Sequence, residues 1–306
     1  MEYRIGSFNM ERFGATRKKD FEKIAEIIIE EDLDVVALQE IFSEGAGLKR
    51  LLASCVDHDL YNWGFCLPDP LETKDFNPRG ETYAYLWNKR KFKLVDGPKF
   101  EPRIVTKTDT GVDCSVFARA PFYARLQPIY GGFFELRLIN IHIHFGEDKK
   151  ADIDKRKMEF DILTQKIYPE ICRLRYGQHR VAYTIAMGDY NLNIFRPYVK
   201  TEATNCYLSE VYTYYEGKKE INILTIQDQL TTLRSKEQDS YPSHGNSEKN
   251  GYANNYDHFT YSPELSDFVN VSCQTIDAVE KYCGGDFEYY RKNISDHLPI
   301  VMTIEI

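Results

Sequence analysis

The chain has 306 residues, of which 42% are hydrophobic and 28% charged, and its formal net charge is −8. This length can build one large domain or two ordinary ones, and the acidic balance excludes a general attraction to nucleic acid or anionic membranes. The seven cysteines are scattered without a CxxC pair, a pattern that favours neither a zinc ribbon nor a disulfide framework.

The N-terminal residues, MEYRIGSFNM, lack the apolar segment of a secretory signal peptide. No apolar run in the chain approaches the ~20 residues that a membrane-spanning helix needs. We therefore expect a reduced, cytoplasmic protein without a membrane span.

Eight short runs rich in Val, Ile, Tyr and Phe are predicted as β-strands, because these residue types suit the surface of a sheet. In chain order they are Tyr3–Phe8, Val35–Leu38, Thr82–Trp87, Cys114–Arg119, Phe134–Ile141, Val181–Met187, Asn255–Tyr261 and Leu298–Ile306. They recur along the whole chain, and no linker, repeat or low-complexity block separates them. We therefore predict a single domain over residues 1–306.

Three amphipathic segments between these strands are predicted as helices: Lys19–Glu30, Gly47–Cys55 and Asp152–Arg175. Pro169 should kink or split the third helix, because proline removes a helical hydrogen bond. Strands and helices that alternate without strict βαβ order favour two packed sheets with helices outside. The long polar stretch Ser235–Asn255 has two interpretations, a wall of a substrate cleft or a mobile surface loop.

Polar side chains of a few types stand at the ends of many predicted strands. Among them are Asn9 after YRIGSF, Glu40 after LDVVALQ, His142 in LINIHIHF, Asp189 and Asn191 in YTIAMGDYN, Asp257 in NNYDHFTYS, and Asp296 and His297 in NISDHLPIVMTI. Strands of a sandwich end at common rims, so we expect these side chains to form one polar cluster.

The residue types of this cluster suit phosphate chemistry. Carboxylate and amide oxygens are the ligands of hard cations such as Mg²⁺ or Mn²⁺, which neutralise phosphate charge. A histidine can donate to a phosphate oxygen or take a proton from water, and a carboxylate partner fixes its tautomer. Each motif alone is also typical of ordinary structure, since GDYN suits a turn and SDH a helix start. The ordered combination favours a functional site.

From SFNM to SDHLPIVMTI, this ordered set resembles the endonuclease/exonuclease/phosphatase superfamily, which has the DNase I-like fold. The resemblance implies a four-layer αββα sandwich of mixed α/β (α+β) class. Two packed sheets of mixed or antiparallel strands would carry helices on their outer faces. The active site would lie at one end of the two sheets.

The resemblance also implies a metal centre. Glu40 would be a direct ligand, Asn9 would lie beside the ion, and Asp296 would be a further carboxylate on the metal side. The implied ion is Mg²⁺, with Mn²⁺ as an alternative and Ca²⁺ as a structural ion.

The resemblance assigns catalytic roles to the remaining members of the cluster. Asp189 would orient or activate the attacking water, and Asn191 would bind a phosphate oxygen. His297 would act as general base or phosphate ligand, held by Asp257. His142 occupies the position of the histidine in the N-x-H motif, here NIH.

Two further stretches resemble the deoxyribonuclease I branch of the superfamily. RGETYAYLWN implies Glu81 as the carboxylate partner of His142, and DCSVFARAPFYARL resembles the strand with an R-x-P motif. The chain departs from that branch at the minor-groove arginine, which is replaced by Ile41-Phe42-Ser43. It also has no clear counterparts of the disulfide cysteines. The substrate contacts implied by this comparison are Arg79, Arg119 and Tyr83.

These features predict a metal-dependent phosphodiesterase that cleaves DNA or another nucleic acid, in the manner of a DNase-like endonuclease. The alternative is a phosphatase or phosphodiesterase of the same superfamily acting on a small phosphate ester or phospholipid head group. Against it, the segment around Asp257 lacks the Cys-Asp-Arg pattern of inositol 5-phosphatases. An acidic protein needs local cations to hold a polymer, and further candidates are Lys149, Lys150, Lys155 and Arg156.

Overall fold

A computed structural model of the chain describes residues 1–14, 19–42, 45–54, 62–69, 80–95, 102–107, 111, 113–130, 134–147, 149–174, 181–193, 224–225, 229–234 and 251–306. Its strands are β1 (Glu2–Phe13), β2 (Val35–Ile41), β3 (Trp63–Cys66), β4 (Thr82–Asn88), β5 (Phe92–Leu94), β6 (Arg103–Ile104), β7 (Phe122–Pro128), β8 (Phe134–His142), β9 (Val181–Asp189), β10 (Leu224–Thr225), β11 (Asp257–Tyr261), β12 (Asn270–Thr275) and β13 (Ile300–Glu305). Its α-helices are α1 (Phe21–Glu30), α2 (Ala46–Ser54), α3 (Lys150–Ile162), α4 (Tyr168–Arg173), α5 (Pro263–Phe268), α6 (Ala278–Cys283) and α7 (Phe287–Asn293).

Two mixed sheets form the centre of the molecule. The first has the strand order β12-β13-β1-β2-β4-β3, and the second has the order β10-β11-β9-β8-β7-β5, with β6 paired to β7. The pairs β1–β2 and β8–β9 are parallel. The other strand pairs of the described residues are antiparallel.

The alternation of side chains along β2 shows how the layers are stacked. Val35 and Ala37 belong to the core between the two sheets, whereas Val36 and Leu38 belong to a second core under the helices. That second core joins the outer face of the first sheet to α1, α2, α6 and α7. Residues of α3 and α4 join the second sheet from its other side. The chain is therefore the predicted α+β sandwich of two sheets flanked by helices.

Local sequence signals explain the helix that opens this arrangement. The side chain of Asp20 caps α1 by accepting from the backbone N–H of Lys23. Ile24, Ile27 and Ile28 share one face of α1 and are all buried. Burial of this apolar face on the first sheet supplies most of the stability of so short a helix.

The structure corrects the strand predicted over Cys114–Arg119. Residues Cys114–Val116 form a 3₁₀ turn instead, capped by the side chain of Asp113, which accepts from the N–H of Ser115. Strand β7 begins only at Phe122. A turn buries the apolar residues of this segment. A short apolar run in a sequence is compatible with either a buried turn or a buried strand, so it does not tell the two apart.

The predicted helix Asp152–Arg175 is divided, as expected from Pro169. A π-helical segment, Leu163–Ile167, separates α3 from α4, and Pro169 lies in the first turn of α4. Proline is tolerated there because the first turn of a helix has no internal partner for its N–H groups. Most of the predicted stretch Ser235–Asn255 lies outside the described residues. No helix in the described ranges is long and apolar enough to cross a membrane.

Candidate active site

The strand register brings the predicted residues of the second sheet side by side. Asp189, at the end of β9, is the backbone partner of His142 on β8 and of Asp257 on β11. In the first sheet, Asn9 on β1 pairs with the residue before Glu40 on β2. Both sheets therefore present their polar strand ends at the same end of the sandwich.

A glycine precedes Asp189 because the backbone of β8 leaves no room for a side chain there. Gly188 has φ +146°, and an added Cβ would lie 1.9 Å from the carbonyl oxygen of Ile141. The two parallel strands therefore approach closely just before their functional residues. Any substitution at Gly188 should push Asp189 away from His142.

Backbone conformations that are uncommon for side-chain-bearing residues occur at two site positions. Glu40 has φ +58° and Asn191 has φ +49°. The pairing of β2 with β4 is irregular between Leu38 and Ile41, which brackets Glu40. Such irregularities re-aim a side chain at a cost of about 1–3 kcal/mol and are concentrated at functional sites.

The first histidine–carboxylate pair is His142 with Glu81. Nδ1 of His142 lies 2.8 Å from Oε1 of Glu81, and Nε2 of His142 lies 3.4 Å from Oδ2 of Asp189. Nε of Arg119 lies 2.5 Å from the same Glu81 oxygen. Burial would raise the pKa of Glu81, but the charges of His142 and Arg119 lower it to about 2. The imidazole is thus held between two carboxylates with a guanidinium nearby.

Opposing influences act on the pKa of His142. Burial and the charge of Arg119 lower this pKa. The carboxylates of Glu81 and Asp189 act in the other direction and leave it above its ordinary value of 6.5. Protonation of His142 is therefore favoured, but only by the balance of several neighbouring charges.

The second pair is His297 with Asp257. Nδ1 of His297 lies 2.8 Å from Oδ2 of Asp257, and Nε2 lies 3.6 Å from Oδ2 of Asp189. Burial lowers the pKa of His297, but Asp257, Asp189 and Asp296 together raise it well above 6.5. Oδ2 of Asp189 is consequently approached by Nε2 of both histidines.

An asparagine amide connects this centre to the first sheet. Nδ2 of Asn9 lies 3.0 Å from Oδ2 of Asp189 and 3.2 Å from Oε1 of Glu40. The other oxygen of Glu40 accepts from the backbone N–H of Arg12 at 3.0 Å. The backbone N–H of Asn191 donates to Oδ1 of Asp189, and its side-chain amide donates to the carbonyl of Ile143. These contacts make one continuous polar cluster.

The donor set fits a hard divalent cation. Glu40 is half-buried at the rim and offers carboxylate oxygens, with the amide of Asn9 in contact with it. Among the residues that the structure describes, no three His, Cys, Asp or Glu side chains form a preassembled metal cage. Mg²⁺ is usually bound by one or two carboxylates, with water and substrate phosphate completing its shell. The participation of Asp296, which is also half-buried, stays a prediction.

The predicted substrate-binding residues have different environments. Arg119 is mostly buried against Glu81, with part of its side chain exposed. The hydroxyl of Tyr83 donates to the carbonyl of Arg119 and accepts from the N–H of His142. Tyr83 is buried, so its position favours a role in aligning the site and does not favour the predicted contact with substrate. Arg79 lies outside the described residues.

One of the additional cations suggested for polymer binding is used inside the protein. Arg156 is buried and donates to the carbonyl of Gly146, so it is not a surface cation. Lys149 is largely exposed and lies in an ion pair with Glu147. Arg156 is therefore not available to bind a polymer, and the contributions of Lys149, Lys150 and Lys155 stay predictions.

Several supporting residues were missed or assigned to a structural role by sequence reasoning. The hydroxyl of Ser295 donates to the carbonyl of Asn9 and accepts from the N–H of His297, so it joins the last loop to β1. The hydroxyl of Thr231 accepts from the N–H of Asp257. His258 is buried against the carbonyls of Leu192 and Asn255, and burial lowers its pKa to about 4. Ser295 within NISDH and His258 within NNYDHFTYS lie in segments that the sequence had marked, whereas Thr231 gave no signal.

The chain was compared with known proteins. No protein-family model and no curated protein matches it. A humanized TDP2 from D. rerio superimposes with a TM-score of 0.59 at 15% identity, covering 100% of this chain and 99% of that chain. A truncated TDP2 from Caenorhabditis elegans gives 0.58 at 15%, covering 100% and 98%. An endonuclease/exonuclease/phosphatase protein from Bacteroides vulgatus gives 0.55 at 15%, covering 100% and 99%.

At this level of identity, the similarity establishes the fold. The fold implied by the sequence resemblance, that of the endonuclease/exonuclease/phosphatase superfamily, is confirmed. The placement nearest to the deoxyribonuclease I branch stays a prediction.

Proposed function

We propose that this chain, which has the endonuclease/exonuclease/phosphatase fold, is a metal-dependent phosphodiesterase that cleaves nucleic acid, and that residues 1–306 form one catalytic domain. The observation that carries the proposal is the convergence of two histidine–carboxylate pairs on Asp189. Nε2 of His142 and Nε2 of His297 lie 3.4 and 3.6 Å from the same Asp189 oxygen. A structural ion pair needs only one such partner.

The bonds at Nδ1 leave Nε2 of each imidazole for the reaction. Nδ1 of His142 and Nδ1 of His297 are both within 2.8 Å of a carboxylate, which favours a proton on that nitrogen. Protonated Nε2 groups would donate to the non-bridging oxygens of a bound phosphate, where charge develops as the ester is cleaved. The raised pKa values of both histidines support this role as phosphate ligands.

The carboxylate of Asp189 is suited to orient the attacking water. It is buried, and its Oδ1 is already engaged by the N–H of Asn191, so its position is well defined. A water that donates to this carboxylate would be aligned for in-line attack on phosphorus. The amide of Asn191 would bind a phosphate oxygen, as the sequence resemblance implies.

Glu40, Asn9 and Asp296 would hold the metal ion. When bound, Mg²⁺ or Mn²⁺ would neutralise phosphate charge and stabilise the leaving oxygen. The dependence of activity on a metal, and the identity of that metal, belong to this proposal.

Nucleic acid is the favoured substrate class for two reasons. A TDP2 from D. rerio that shares the fold is described as complexed with a single-strand DNA product, with a TM-score of 0.58 and 15% identity over 100% of this chain. The chain also offers Arg119 beside the site, a residue type that binds phosphate well. With a net charge of −8 and few local cations, binding should involve few phosphates. The slope of log affinity against log salt should then be shallow, about 0.9 per neutralised phosphate of duplex DNA.

The test is a hydrolysis panel with Mg²⁺, Mn²⁺ or EDTA. The substrates are supercoiled plasmid, single-stranded DNA, RNA, bis-p-nitrophenyl phosphate and a phosphomonoester, and the matched control is Asp189→Ala. We expect metal-dependent nicking of plasmid or cleavage of a single strand that the control lacks. If wild type leaves all nucleic acids intact while hydrolysing a small ester, the alternative of a small phosphate ester or phospholipid head group replaces the nuclease.

A further inference from the structure

A fully buried carboxylate on helix α3 contacts two separate segments that lead to the first histidine pair. Glu159 has no solvent exposure. Its Oε1 accepts from the backbone N–H of Ala118, and its Oε2 accepts from the backbone N–H of His144, each at 2.9 Å. Both oxygens of one side chain are thus used to join backbone groups that lie 26 residues apart in the chain.

The two segments held by Glu159 carry functional residues. Ala118 immediately precedes Arg119, whose Nε lies 2.5 Å from Glu81. His144 follows His142 by two residues, just beyond the end of β8. The carboxylate of Glu159 therefore sets the separation of the backbone segments from which Arg119 and His142 reach Glu81.

Two more residues of the same helix hold the segment after β8. Oδ1 of Asp152 lies 2.9 Å from Nε2 of His144, and Arg156 donates to the carbonyl of Gly146 at 2.6 Å. Asp152, Arg156 and Glu159 are spaced by four and three residues, which places them on one face of α3. One face of α3 therefore holds the short segment that follows β8.

The choice of a carboxylate at position 159 needs a reason, because burying it is costly. Burial raises the pKa of Glu159, which the N–H groups of Ala118 and His144 counteract. An apolar side chain of similar volume would fill the space without that cost. What the carboxylate adds is charge-assisted bonding to two donors in a defined geometry.

We propose that Glu159 is a positioning residue that aligns Arg119 and His142 on Glu81. The inference rests on the proposed function, because it concerns the same site. Loss of one bond would let the segment of Ala118 or that of His144 shift, and with it the Glu81–His142 contact. A displacement of about 1 Å at a reacting group can cost on the order of 100-fold in rate.

The variant Glu159→Gln tests this proposal, because it keeps the size of the side chain but can accept from only one of the two N–H groups through its carbonyl. We expect kcat to fall by roughly 10–100-fold with a smaller change in KM. Glu159→Ala, which removes both acceptors, should lose more. The amide resonances of Ala118 and His144 should shift in Glu159→Gln, together with the imidazole resonances of His142.

The matched control is Glu135→Gln. Glu135 is also a buried carboxylate, paired with Arg125 and Arg137, and it lies on β8 itself. It is seven residues from His142, roughly 23 Å along the strand. This variant should lower the thermal unfolding temperature but leave the kcat of the folded fraction within about twofold.

Two results would overturn the inference. One is a Glu159→Gln protein whose kcat matches wild type, or falls no further than that of Glu135→Gln. The other is fast hydrogen exchange of the N–H groups of Ala118 and His144 in the wild-type protein, a measurement that does not depend on whether the variants fold. We expect these two groups to exchange slowly, and fast exchange would show that Glu159 does not hold them. The exchange experiment does not depend on enzymatic activity. A wild-type protein that hydrolyses none of the esters would therefore contradict the proposed function without contradicting the contacts of Glu159.

Discussion

The two histidine–carboxylate pairs have the same core geometry but different electrostatic surroundings. In each, Nδ1 lies 2.8 Å from a carboxylate oxygen. Oε1 of Glu81 is shared between His142 and Arg119. Asp257 contacts His297 through Oδ2, and its buried Oδ1 has no hydrogen-bond partner in the described part of the chain.

This difference changes the set of charges that act on the pKa of each imidazole. The charge of Arg119 lowers the pKa of His142 and opposes the carboxylates, which still raise it. Asp257 and Asp189 raise the pKa of His297 well above 6.5, and the main charges acting on it in the described part of the chain are carboxylates. Titratable groups whose environments push their pKa values apart indicate a division of roles. The pKa of both histidines is raised, and that of His142 is the one that a guanidinium opposes.

The largest effect should come from the residue that the two pairs share. Asp189→Asn keeps the shape of the side chain but removes the charge that faces both imidazoles and the amide of Asn9. We expect hydrolysis to fall by about 1000-fold or more, since groups that act as a unit fail together. Initial rates with saturating Mg²⁺ and a thermal unfolding curve would measure this. A folded variant with near wild-type activity would show that the pairs do not act through Asp189.

Acid unfolding should distinguish the pair that contains an arginine. The pKa of Glu81 is lowered from 4.5 to about 2, so its ionised form stabilises the native state above pH 4.5. That contribution, about 3 kcal/mol, should disappear as the pH falls from 4.5 towards 2. Urea unfolding of wild type and Glu81→Gln across this range should give free energies that converge by that amount. A gap independent of pH would contradict the role of the Glu81 charge.

Removing either imidazole should cost about 100-fold in rate, the scale of one positioned proton-transfer or phosphate-binding group. The variants are His142→Ala and His297→Ala, assayed on the best substrate of the panel. Their partners, in Glu81→Gln and Asp257→Asn, should lose less, because these carboxylates orient the rings. If Glu81→Gln is as inactive as His142→Ala, orientation is not the whole role of Glu81.

The smallest effect should follow from removing the arginine that makes the pairs unequal. In Arg119→Gln the pKa of His142 should rise, because the guanidinium now lowers it. The pKa of His297 should not change. Imidazole resonances followed by NMR over a pH titration would report both. KM for a phosphodiester should rise by about tenfold if Arg119 also binds substrate, and an unchanged His142 titration would contradict the electrostatic comparison.

Local patterns in the sequence correctly located seven of the eight predicted strands and the chemical types at their ends. The isoleucine spacing of α1 and the proline of α4 act within their own helices, whereas the glycine before Asp189 is required by the neighbouring backbone of β8. The apolar segment at residues 114–119 was the exception, because a 3₁₀ turn and a strand can bury the same short run.

The partners of the site residues were decided by the tertiary structure. His142 meets a carboxylate 61 residues away, and His297 meets one 40 residues away. Glu81 and Asp257 were paired with these histidines from the sequence only by resemblance to a family. Neither the contact of Arg119 with Glu81 nor the hydrogen bonds of Glu159 to Ala118 and His144 had a signal in the sequence.

The physical reason is the range over which each interaction is encoded. Hydrophobic period and capping depend on residues a few positions apart, so the sequence by itself determined where segments are buried and where they end. Contacts between side chains of different segments depend on the register of β8 against β9 and on the packing of α3 over them. A shift of one residue in that register would turn every side chain of a strand to the opposite face. Only the folded sandwich therefore decided which charged side chains are in contact. Those contacts give the two histidines of the site their different charge environments.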